Sequence, residues 1–456
     1  MNLHIVILAA GQGKRMYSDL PKILHPLAGK PLVQWVLDTA QQLNPSAIHL
    51  IYGHGGQQIM EAMPNLNINW VNQKEQLGTG HAVMQALEFI PEDAQVLVLS
   101  ADVPLIQLST LQALIECAQS THSGFALLTA TLQTPFGLGR ILRDDEGNIV
   151  SIVEEKDATP QQKGINEIYT GICCVKAANL ATWLPQLNKN NAQNEYYLTD
   201  IFGLASRNGL QINALITQDW MEIQGVNNRL QLQQLEREWQ KRQAFGFLEQ
   251  GVGIADAQRF DLRGQLICGK DVFIDINCVF TGRVILGDKC IIGPNCSLKD
   301  VTLESGCEIL ANSVLEGCNI GNDCKIGPFA RLRAGTQLGP HCKIGNFVET
   351  KKALFASHCK ASHLSYLGDV DLGTGVNIGA GTITCNYDGV NKHQTVIEAG
   401  AFIGSDTQLV APVTIGKNAT IGAGSTIRKN APAEELTYTE SIQRTLYGWK
   451  RPKKKQ

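Results

Sequence analysis

The sequence predicts an α/β protein with two domains, a mainly parallel sheet covered by helices and a parallel β-helix of hexapeptide repeats. Three observations support this prediction: short β-branched runs alternate with helical stretches over residues 1–226, one long helical stretch covers 227–251, and a six-residue period recurs through 252–456. The chain has 456 residues, which is enough for two or three compact domains.

The strand-like runs of the first domain are HIVIL, AIHLIYG, QVLVLSAD and FALLTATL. Between them lie stretches with helical spacing over 32–43, 80–89 and 108–119. Strands that alternate with helices in this way are typical of a sheet whose parallel strands are joined by helices packed on both faces.

A linker helix is predicted over residues 229–251, RLQLQQLEREWQKRQAFGFLEQG. Leu232, Leu235 and Trp239 recur at helical spacing, and no helix breaker precedes Gly246. We therefore divide the chain into a first domain (1–226), a linker helix (227–251) and a second domain (252–456).

Eleven hexads, from LGDKCI at residue 286 to IGAGST at 421, define the second domain. Each has an aliphatic residue first, Gly second and a small residue fifth, the pattern of a β-helix whose coils stack through an apolar interior. Between 378 and 403 the phase shifts by one residue around the polar segment TCNYDGVNKH. We predict that this segment leaves the coil as a loop, and such loops often carry function.

The thirteen cysteines contain no CxxC pair, so the sequence predicts reduced thiols rather than disulfides or a zinc site. Cys290, Cys296, Cys324 and Cys342 occupy the fifth position of their hexads. We expect them there for their small size, at an inward corner of the coil.

The charge balance excludes some partners. Lys and Arg total 39 and Asp and Glu total 42, a net charge of −3 that gives no general attraction to nucleic acid or to anionic lipid. The first residues lack the basic segment of a signal peptide, and no uninterrupted apolar run reaches the ~18 residues of a membrane span. We expect a cytoplasmic protein with no nucleic-acid partner and no membrane insertion.

The segment LAAGQGKRM, residues 8–16, brings small residues and two cations to the end of the first strand-like run. Open α/β sheets bind ligands at the carboxyl ends of their strands. The amides of its two glycines can approach phosphate oxygens, while Lys14, Arg15 and, further along, Lys22 supply positive charge. The segment fits neither GxGxxG nor GxxxxGK[ST], so it indicates a phosphate site of another kind.

Asp102 ends the apolar run VLVLSAD, and a second Gly-rich turn, QKEQLGTGHA, enters a predicted helix at 73–82. A carboxylate at a strand end suits Mg²⁺, which takes one or two protein oxygens and completes its octahedron with water and phosphate. The alternative for Asp102 is a turn or helix-capping residue before Pro104.

In chain order these segments resemble the family of bifunctional N-acetylglucosamine-1-phosphate uridylyltransferases/glucosamine-1-phosphate acetyltransferases. The matching motifs are LAAGQGKRM, LPK, QLGTGHA, ADVPL, GLGRI, IVEEKDA, NEYYLTD and GVNNRLQL. The linker helix and hexads resemble the second half of the same family. The resemblance implies a Rossmann-like nucleotidyltransferase domain, a long linker helix and a left-handed parallel β-helix.

For the first domain the resemblance implies Mg²⁺-dependent uridylyl transfer from UTP to N-acetylglucosamine 1-phosphate, which releases pyrophosphate. This reaction needs in-line placement and neutralised charge rather than a covalent protein intermediate. The residues implied are Leu8, Ala9, Gly11, Gln73, Gly78 and Thr79 for the nucleotide; Arg15 and Lys22 for the triphosphate and catalysis; Gly139, Glu154, Tyr169, Thr199 and Asn227 for the sugar phosphate; and Asp102 with Asn227 for the metal.

Several departures from the family pattern fall in this domain. Lys14, Asn194 and Gln224 stand where the family commonly has Thr, Gly and Glu, and two further departures concern the sugar pocket. The family usually reads YGD where this chain has Ser100, Ala101 and Asp102, and it usually has Asn where this chain has Tyr169. We expect the methyl of Ala101 and the ring of Tyr169 to crowd the sugar pocket, which would lower affinity or change sugar preference.

Polar residues within the second domain point to a second reaction. Arg333, Lys351 and Lys392 suit a sugar phosphate, since Arg binds phosphate in a bidentate manner. His363 is a candidate general base, because a pKa near neutrality suits removal of a proton from an attacking amine. A hydrogen-bonded structural histidine is the alternative, but SHLSYLGD, which also contains Tyr366, falls outside the hexad phase.

The resemblance implies that this domain transfers acetyl from acetyl-CoA to glucosamine 1-phosphate, with His363 as the base, within a homotrimer whose acetyl site lies between neighbouring β-helices. Further residues implied are Asn377 and Tyr387 for sugar and intermediate contacts, Glu349 and Asn386 as supports of the base and of acetyl transfer, Tyr366 in the same site, and Ala380, Ser405, Ala423 and position 440 for coenzyme A.

Position 440 departs from the family. Glu440 stands where the family usually has an Arg that pairs with the 3′-phosphate of the coenzyme. We expect weaker acetyl-CoA binding here, with Arg444 or the terminal KRPKKK as replacement cations.

Three other readings compete with this one. The first is a single-function nucleotidyltransferase whose β-helix only oligomerises. The second is a β-helix zinc hydrolyase using His341, His358 and His363 across a subunit boundary. The third is a non-catalytic sugar-nucleotide sensor. The presence of the acetyl-site residues argues against the first, bound metal would identify the second, and turnover would exclude the third.

Overall fold

The predicted linker helix is present as Arg229–Glu249 in a computed structural model that describes residues 2–53, 55–64, 66–120, 122–452 and 454. The chain divides within this helix into two compact units, Met1–Trp239 and Gln240–Gln456. In the part of the chain that the structure describes, no helix is long and apolar enough to cross a bilayer.

The described residues of the first unit form a nine-stranded sheet. Its main path runs in the order Asn213–Thr217, Ala126–Thr131, Glu167–Lys176, Gln95–Ser100, Leu3–Leu8, Ala47–Tyr52 and Asn69–Asn72, with Arg140–Arg143 and Ile149–Val153 paired beyond Glu167–Lys176. Glu167–Lys176 is antiparallel to both neighbours on this path, whereas the other adjacent pairs are parallel. The sheet is therefore mainly parallel, as predicted.

Helices cover both faces of this sheet. Ile5 and Ile7 face one apolar core and Val6 faces the other, because side chains alternate along a strand. The helices are Leu32–Gln41, Gly56–Ala62, Thr79–Met84, Leu108–Gln119, Pro160–Lys163, Ala177–Trp183 and Asp200–Arg207; 3₁₀ turns cover Lys14–Met16, Lys22–Leu24, Leu87–Phe89, Leu184–Gln186 and Trp220–Ile223; and a short hairpin pairs Pro26–Leu27 with Lys30–Pro31.

The second unit is a solenoid of short parallel strands on three faces. One face contains Gly253–Ile254, Phe273–Ile274, Ile291–Ile292, Glu308–Ile309, Lys325–Ile326, Lys343–Asn346, Lys360–His363, Asn377–Ile378, Phe402–Ile403, Thr420–Ile421 and Leu436–Thr437. The other two faces contain Phe260–Cys268, Cys278–Leu286, Ser297–Lys299, Thr302–Leu303, Val314–Glu316, Asn319–Ile320, Arg331–Leu332, Gln337–Leu338, Glu349–Phe355, Tyr366–Leu372, Ile383–Cys385, Thr395–Ile397, Gln408–Val410, Val413–Ile415 and Thr426–Ile427. A 3₁₀ turn covers Ala257–Arg259.

The hexad pattern has the predicted structural meaning. First-position aliphatic residues such as Ile292, Ile326 and Ile403 are fully buried. The phase shift also falls where the chain leaves the coil: after Ile383–Cys385 a loop closed by a Tyr387–Lys392 bridge precedes Thr395–Ile397.

The cysteines at the fifth position have a role beyond size. The thirteen cysteines are all free. Five of them, in consecutive coils, are buried, and each donates a hydrogen bond to a backbone carbonyl of the following coil at 3.1–3.2 Å: Cys290, Cys307, Cys324, Cys342 and Cys359. Thr382 and Thr407 also donate to backbone carbonyls from this position, whereas Ala330, Val348, Val376 and Ala419 fill it without a donor.

Candidate functional sites

A cavity of about 450 Å³ opens at the carboxyl edge of the first unit's sheet. Its lining follows three parallel strands, those that end at Leu8, Asn72 and Ser100. The lining residues are Leu8, Ala9, Ala10, Gly11, Gln12, Lys22, Ile23, Gln73, Gln76, Gly78, Thr79, Ala82, Ser100, Asp102 and Glu195. The structure thus brings the predicted nucleotide residues together with Lys22 and Asp102.

Gly78 is required by the geometry of this cavity. Its φ is +112°, and a Cβ there would lie 2.5 Å from the carbonyl oxygen of Tyr196. The adjacent Thr79 hydroxyl accepts a 3.0 Å hydrogen bond from the amide of Leu198. These contacts fix the segment around Tyr196 against the Gly-rich turn.

Lys22 lies between two oxygen-bearing side chains at the end of the cavity. Its ammonium donates to the Asp102 carboxylate and, at 3.4 Å, to the Asn227 amide oxygen. The backbone amide of Asn227 donates to the side-chain oxygen of Gln231 at 2.7 Å. The backbone amide of the neighbouring Val226 donates to the Asp102 carbonyl oxygen at 2.9 Å, so both bonds hold Asn227 in place.

These residues fit a divalent cation. The side-chain oxygens of Asp102 and Asn227 are of the type that Mg²⁺ prefers as ligands, and both already contact one positive charge, the Lys22 ammonium. Asp102 thus lies at a candidate metal site, and its role as a metal ligand stays a prediction.

Four of the five residues implied for the sugar phosphate form a second cluster of the first unit, whereas the fifth, Asn227, contacts Lys22. The Thr199 hydroxyl donates to Glu154 at 3.0 Å, and the Tyr169 amide donates to the Gly139 carbonyl at 2.9 Å. Burial raises the pKa of Glu154, and its bond from Thr199 opposes that shift. Leu198, the residue before Thr199, donates its backbone amide to Thr79 of the cavity lining. This cluster therefore adjoins the cavity.

Ala101 and Tyr169, which we expected to crowd the sugar pocket, both have side chains buried in the first unit, and their effect on sugar binding stays a prediction. Ala101 is fully buried in the apolar core, and Tyr169 is 7% exposed with its ring edge-on to Phe202 at 5.3 Å. Burial raises the pKa of the Tyr169 phenol well above its usual value. The strand Glu167–Lys176 directs the Tyr169 side chain into the core, and Ala101, just after the strand Gln95–Ser100, is also buried. Tyr169 therefore contacts Gly139 through its backbone amide.

Arg15 is not brought into the cavity lining. It lies exposed on the 3₁₀ turn Lys14–Met16, whose amide at Met16 bonds the carbonyl of Gly13. The predicted contact with a triphosphate therefore needs movement of this side chain toward the cavity.

The second unit aligns its predicted acetyl-site residues in one column along a corner of the coil. Asn346 and His363 are in register across neighbouring strands. The column continues in the next coils through Ala380, Ser405 and Ala423. The backbone amide of the residue after Ser405 donates to the Ala380 carbonyl at 2.7 Å. In the same way, the backbone amide of the residue after Ala423 donates to the Ser405 carbonyl at 2.8 Å. The column therefore leads from small side chains to the imidazole.

The partner of the His363 ring is Asn346, a residue that our sequence analysis missed. Asn346 Oδ1 lies 3.0 Å from His363 Nδ1. Glu349, implied as a support of the base, instead accepts from Arg333 at 2.9 Å, and Asn386 donates to Asp369. Asn346 could have been found from the repeat, since it lies 17 residues, one coil, before His363.

Cations gather on the face next to this column. Lys351 lies beside Arg333 on adjacent strands, and contact with Lys392, followed by the charge of Arg333, lowers the pKa of Lys351. Lys392 lies 5.9 Å from the ring centroid of Tyr387 and lines a cavity of about 230 Å³. Mutual repulsion of this kind is relieved by a bound anion.

The remaining predicted residues lie near this face. Tyr366 is in register with Glu349 on the adjacent strand, and Asn377 begins the strand after the coil of His363. Glu440 is exposed and follows Thr439, whose amide bonds the Ser425 hydroxyl at 3.1 Å, so it lies near the upper end of the column. Lys453 and Lys455 of the basic tail lie outside the described residues.

The structure does not assemble the histidines of the zinc alternative within one chain. His341 and His358 stack at 4.8 Å on one corner of the coil, whereas His363 is bonded to Asn346 on another. Among the described residues, no group of three or more His, Cys, Asp or Glu side chains is arranged to hold a metal ion.

Three family models match parts of the chain. Residues 5–145 match the MobA-like NTP transferase domain, 262–367 match the GMPPB C-terminal domain, and 394–429 match six repeats of the bacterial transferase hexapeptide. The first match covers the cavity of the first unit up to Asp102, and the last two cover the solenoid.

Curated relatives match the full length. The bifunctional protein GlmU of Legionella pneumophila (strain Lens) is 69% identical over 459 aligned residues, which cover 100% of both chains. The proteins of the same name from Marinobacter nauticus and Idiomarina loihiensis are 53% and 51% identical, and the alignments cover at least 99% of this chain and 99% of each relative.

Proposed function

This chain belongs to the family of bifunctional GlmU proteins, and from that premise we propose which of its residues carry out each reaction. It is a bifunctional transferase of UDP-N-acetylglucosamine synthesis. Acetyl passes from acetyl-CoA to glucosamine 1-phosphate, and uridylyl then passes from UTP to N-acetylglucosamine 1-phosphate with release of pyrophosphate.

For uridylyl transfer, we assign the nucleotide to the 450 Å³ cavity. The sugar phosphate oxygen attacks the α-phosphorus of UTP, and the bond to the bridging oxygen of pyrophosphate breaks. Gly78 and Thr79 hold the nucleotide, Glu154 and Thr199 orient the sugar, and Lys22 with Arg15 neutralises the leaving pyrophosphate. Asp102 and Asn227 would hold Mg²⁺, which supplies positive charge to the phosphate oxygens when it is bound.

For acetyl transfer, we assign His363 as the general base. Asn346 Oδ1 can only accept, so Nδ1 of His363 carries its proton and Nε2 is left free. The amine nitrogen of glucosamine 1-phosphate bonds to the thioester carbonyl carbon while Nε2 of His363 removes the proton from that amine. The bond to sulfur then breaks, and coenzyme A leaves as its thiolate. Arg333, Lys351 and Lys392 bind the phosphate of glucosamine 1-phosphate, and the column Ala380, Ser405 and Ala423 receives the coenzyme.

One observation carries this double assignment. Each unit brings together a chemically different set of residues: in one, a cation position beside a nucleotide-sized cavity, and in the other, a histidine at the end of a column of small residues. A β-helix that served only to oligomerise would need no oriented histidine beside a cluster of cations.

The assembly we propose is a homotrimer through the β-helices, since hexapeptide repeats of this family associate in that way. Analytical ultracentrifugation should give a mass near three times 49.7 kDa. A mass near one chain would contradict the trimer.

The test of function follows two products in one mixture. Glucosamine 1-phosphate, acetyl-CoA, UTP and Mg²⁺ are supplied together, and free thiol and pyrophosphate are measured separately. We expect thiol release without UTP, and pyrophosphate release that requires acetyl-CoA unless N-acetylglucosamine 1-phosphate is supplied. When N-acetylglucosamine 1-phosphate is also supplied, pyrophosphate release without thiol release would mean that the second unit only oligomerises, and the absence of both products would indicate a sensor.

A further inference from the structure

We propose that Lys22 and Mg²⁺ exchange at one cation position. Before the metal binds, the Lys22 ammonium holds Asp102 and Asn227; metal binding displaces it toward the phosphates. The inference rests on the proposed function, which assigns the metal to these two residues.

The contacts of Lys22 define the position. The ammonium touches the Asp102 carboxylate and lies 3.4 Å from Asn227 Oδ1. The side chains of Lys22 and Asp102 are only 12% and 21% exposed, so water screens this pair weakly. The carboxylate is therefore neutralised by the chain itself.

Two cations do not fit here together. Mg²⁺ binds oxygen at about 2.1 Å, so a metal on the same two oxygens would lie within contact distance of the ammonium. Because repulsion is strong where water is partly excluded, one cation must leave when the other arrives. The metal thus competes with a charge that is covalently tethered to the chain.

The backbone of Lys22 is fixed while its side chain can turn. Lys22 begins the 3₁₀ turn Lys22–Leu24, in which the Leu24 amide bonds the Pro21 carbonyl at 2.9 Å. Lys22 also lines the nucleotide cavity. A displaced ammonium on its four-carbon stem therefore remains beside the cavity where the triphosphate is proposed to bind.

The exchange links metal and nucleotide. A triphosphate that attracts the Lys22 ammonium frees the two oxygens for metal, and a metal that displaces the ammonium makes it available to the triphosphate. Because linkage is reciprocal, each ligand raises the affinity for the other even before their direct contact is counted.

The experiment measures Mg²⁺ binding to the full-length protein without nucleotide, by isothermal titration calorimetry. We expect Lys22→Met to bind Mg²⁺ about tenfold more tightly than the wild type, because the competing charge is gone. Lys14→Met is the matched control: it removes the same charge from an exposed lysine of the same loop, and we expect a change of less than about threefold.

Two further variants separate the possible failures. Asp102→Asn should abolish Mg²⁺ binding; if it does not, the proposed metal site itself is wrong. If Asp102→Asn abolishes binding but Lys22→Met binds as weakly as the wild type or more weakly, the site stands and the exchange is overturned. Lys22→Gln, which keeps a polar side chain, repeats the measurement if the methionine variant does not fold.

Discussion

The two units build their sites by opposite routes. In the first, Lys22 meets Asp102 and Asn227 across 80 and 205 residues of sequence. In the second, His363 meets Asn346 across 17 residues, one coil of the solenoid. A repeat stacks residues at a fixed sequence interval, whereas a sheet with crossover connections brings together residues that share no common sequence interval.

This difference predicts how far a change spreads. Each coil of a solenoid contacts its neighbours only, so a substitution there should affect one site locally. The strands of the sheet share two cores, so a change in the first unit should alter the unit as a whole.

The largest expected effect is on uridylyl transfer. Asp102→Ala removes a proposed metal ligand and should lower this rate about 10³-fold or more, since metal and cations supply several kcal/mol of charge stabilisation. Pyrophosphate release measures the loss, and thiol release should stay within about twofold of the wild type. Asp38→Ala, at a surface ion pair, is the control. Equal loss of both activities would identify Asp102 as structural.

The reciprocal change should follow closely. His363→Ala should lower acetyl transfer about 10²- to 10³-fold by removal of a general base, without loss of uridylyl transfer. His358→Ala, an exposed histidine five residues earlier, should retain acetyl transfer. Full thiol release by the His363→Ala variant would show that His363 is a structural residue and not the base.

The pH dependence of stability should differ between the units. His49 stacks with His4 in the first unit, and their ring nitrogens lie 3.0 Å apart. Burial, aided by the nearby His4, lowers the pKa of His49 from 6.5 to about 4. Between these values the unfolded chain binds more protons, so acidification should destabilise the first unit by roughly 3 kcal/mol, an effect that is absent above pH 6.5.

Tryptophan fluorescence during urea unfolding measures this effect. Five of the six tryptophans belong to the first unit, at positions 35, 70, 183, 220 and 239. His49→Gln cannot titrate there and should flatten the dependence between pH 6.5 and 4. If the free energy of unfolding of His49→Gln fell as steeply with falling pH as that of the wild type, the pH dependence would belong to other groups.

A smaller effect is expected from the partner of the base. Asn346→Ala should lower the kcat of acetyl transfer about 10- to 100-fold with little change in KM, as for other groups that orient a catalytic side chain. Asn346→Asp keeps the acceptor and should restore most of the rate. Glu349→Gln should instead raise KM for the sugar phosphate, because Glu349 positions Arg333. A rise in KM alone for Asn346→Ala would exclude the positioning role.

The smallest expected effect lies within the solenoid. Cys307→Ala removes one buried thiol and its bond to the Gly321 carbonyl, and should lower the free energy of unfolding by about 1 kcal/mol. Cys307→Ser keeps a donor and should cost less. Both activities should survive in each variant. A larger cost for serine than for alanine would show that the hydrogen bond at this position does not offset the burial of a polar group.

Much of the fold and of the site was predictable because it follows from local pattern. Alternating strands and helices predicted a mainly parallel sheet with two covered faces, and Asp102 was found because it ends an apolar run of the sequence, two residues after the strand Gln95–Ser100. Three points were not predictable: the partner of His363, the partner of Glu349, and the direction of Tyr169. Each depends on which side chain lies opposite another after packing.

The sequence by itself determined the β-helix, its inward positions and its loop, because a six-residue period leaves the chain one economical way to bury its aliphatic residues. It also determined the chemistry available at the strand ends. The tertiary structure alone decided that Lys22 neutralises Asp102 beside Asn227, and that Ala101 and Tyr169 turn into the core. The physical reason is that periodicity acts between near neighbours in sequence, whereas charge pairing and side-chain direction depend on the packed register of distant segments.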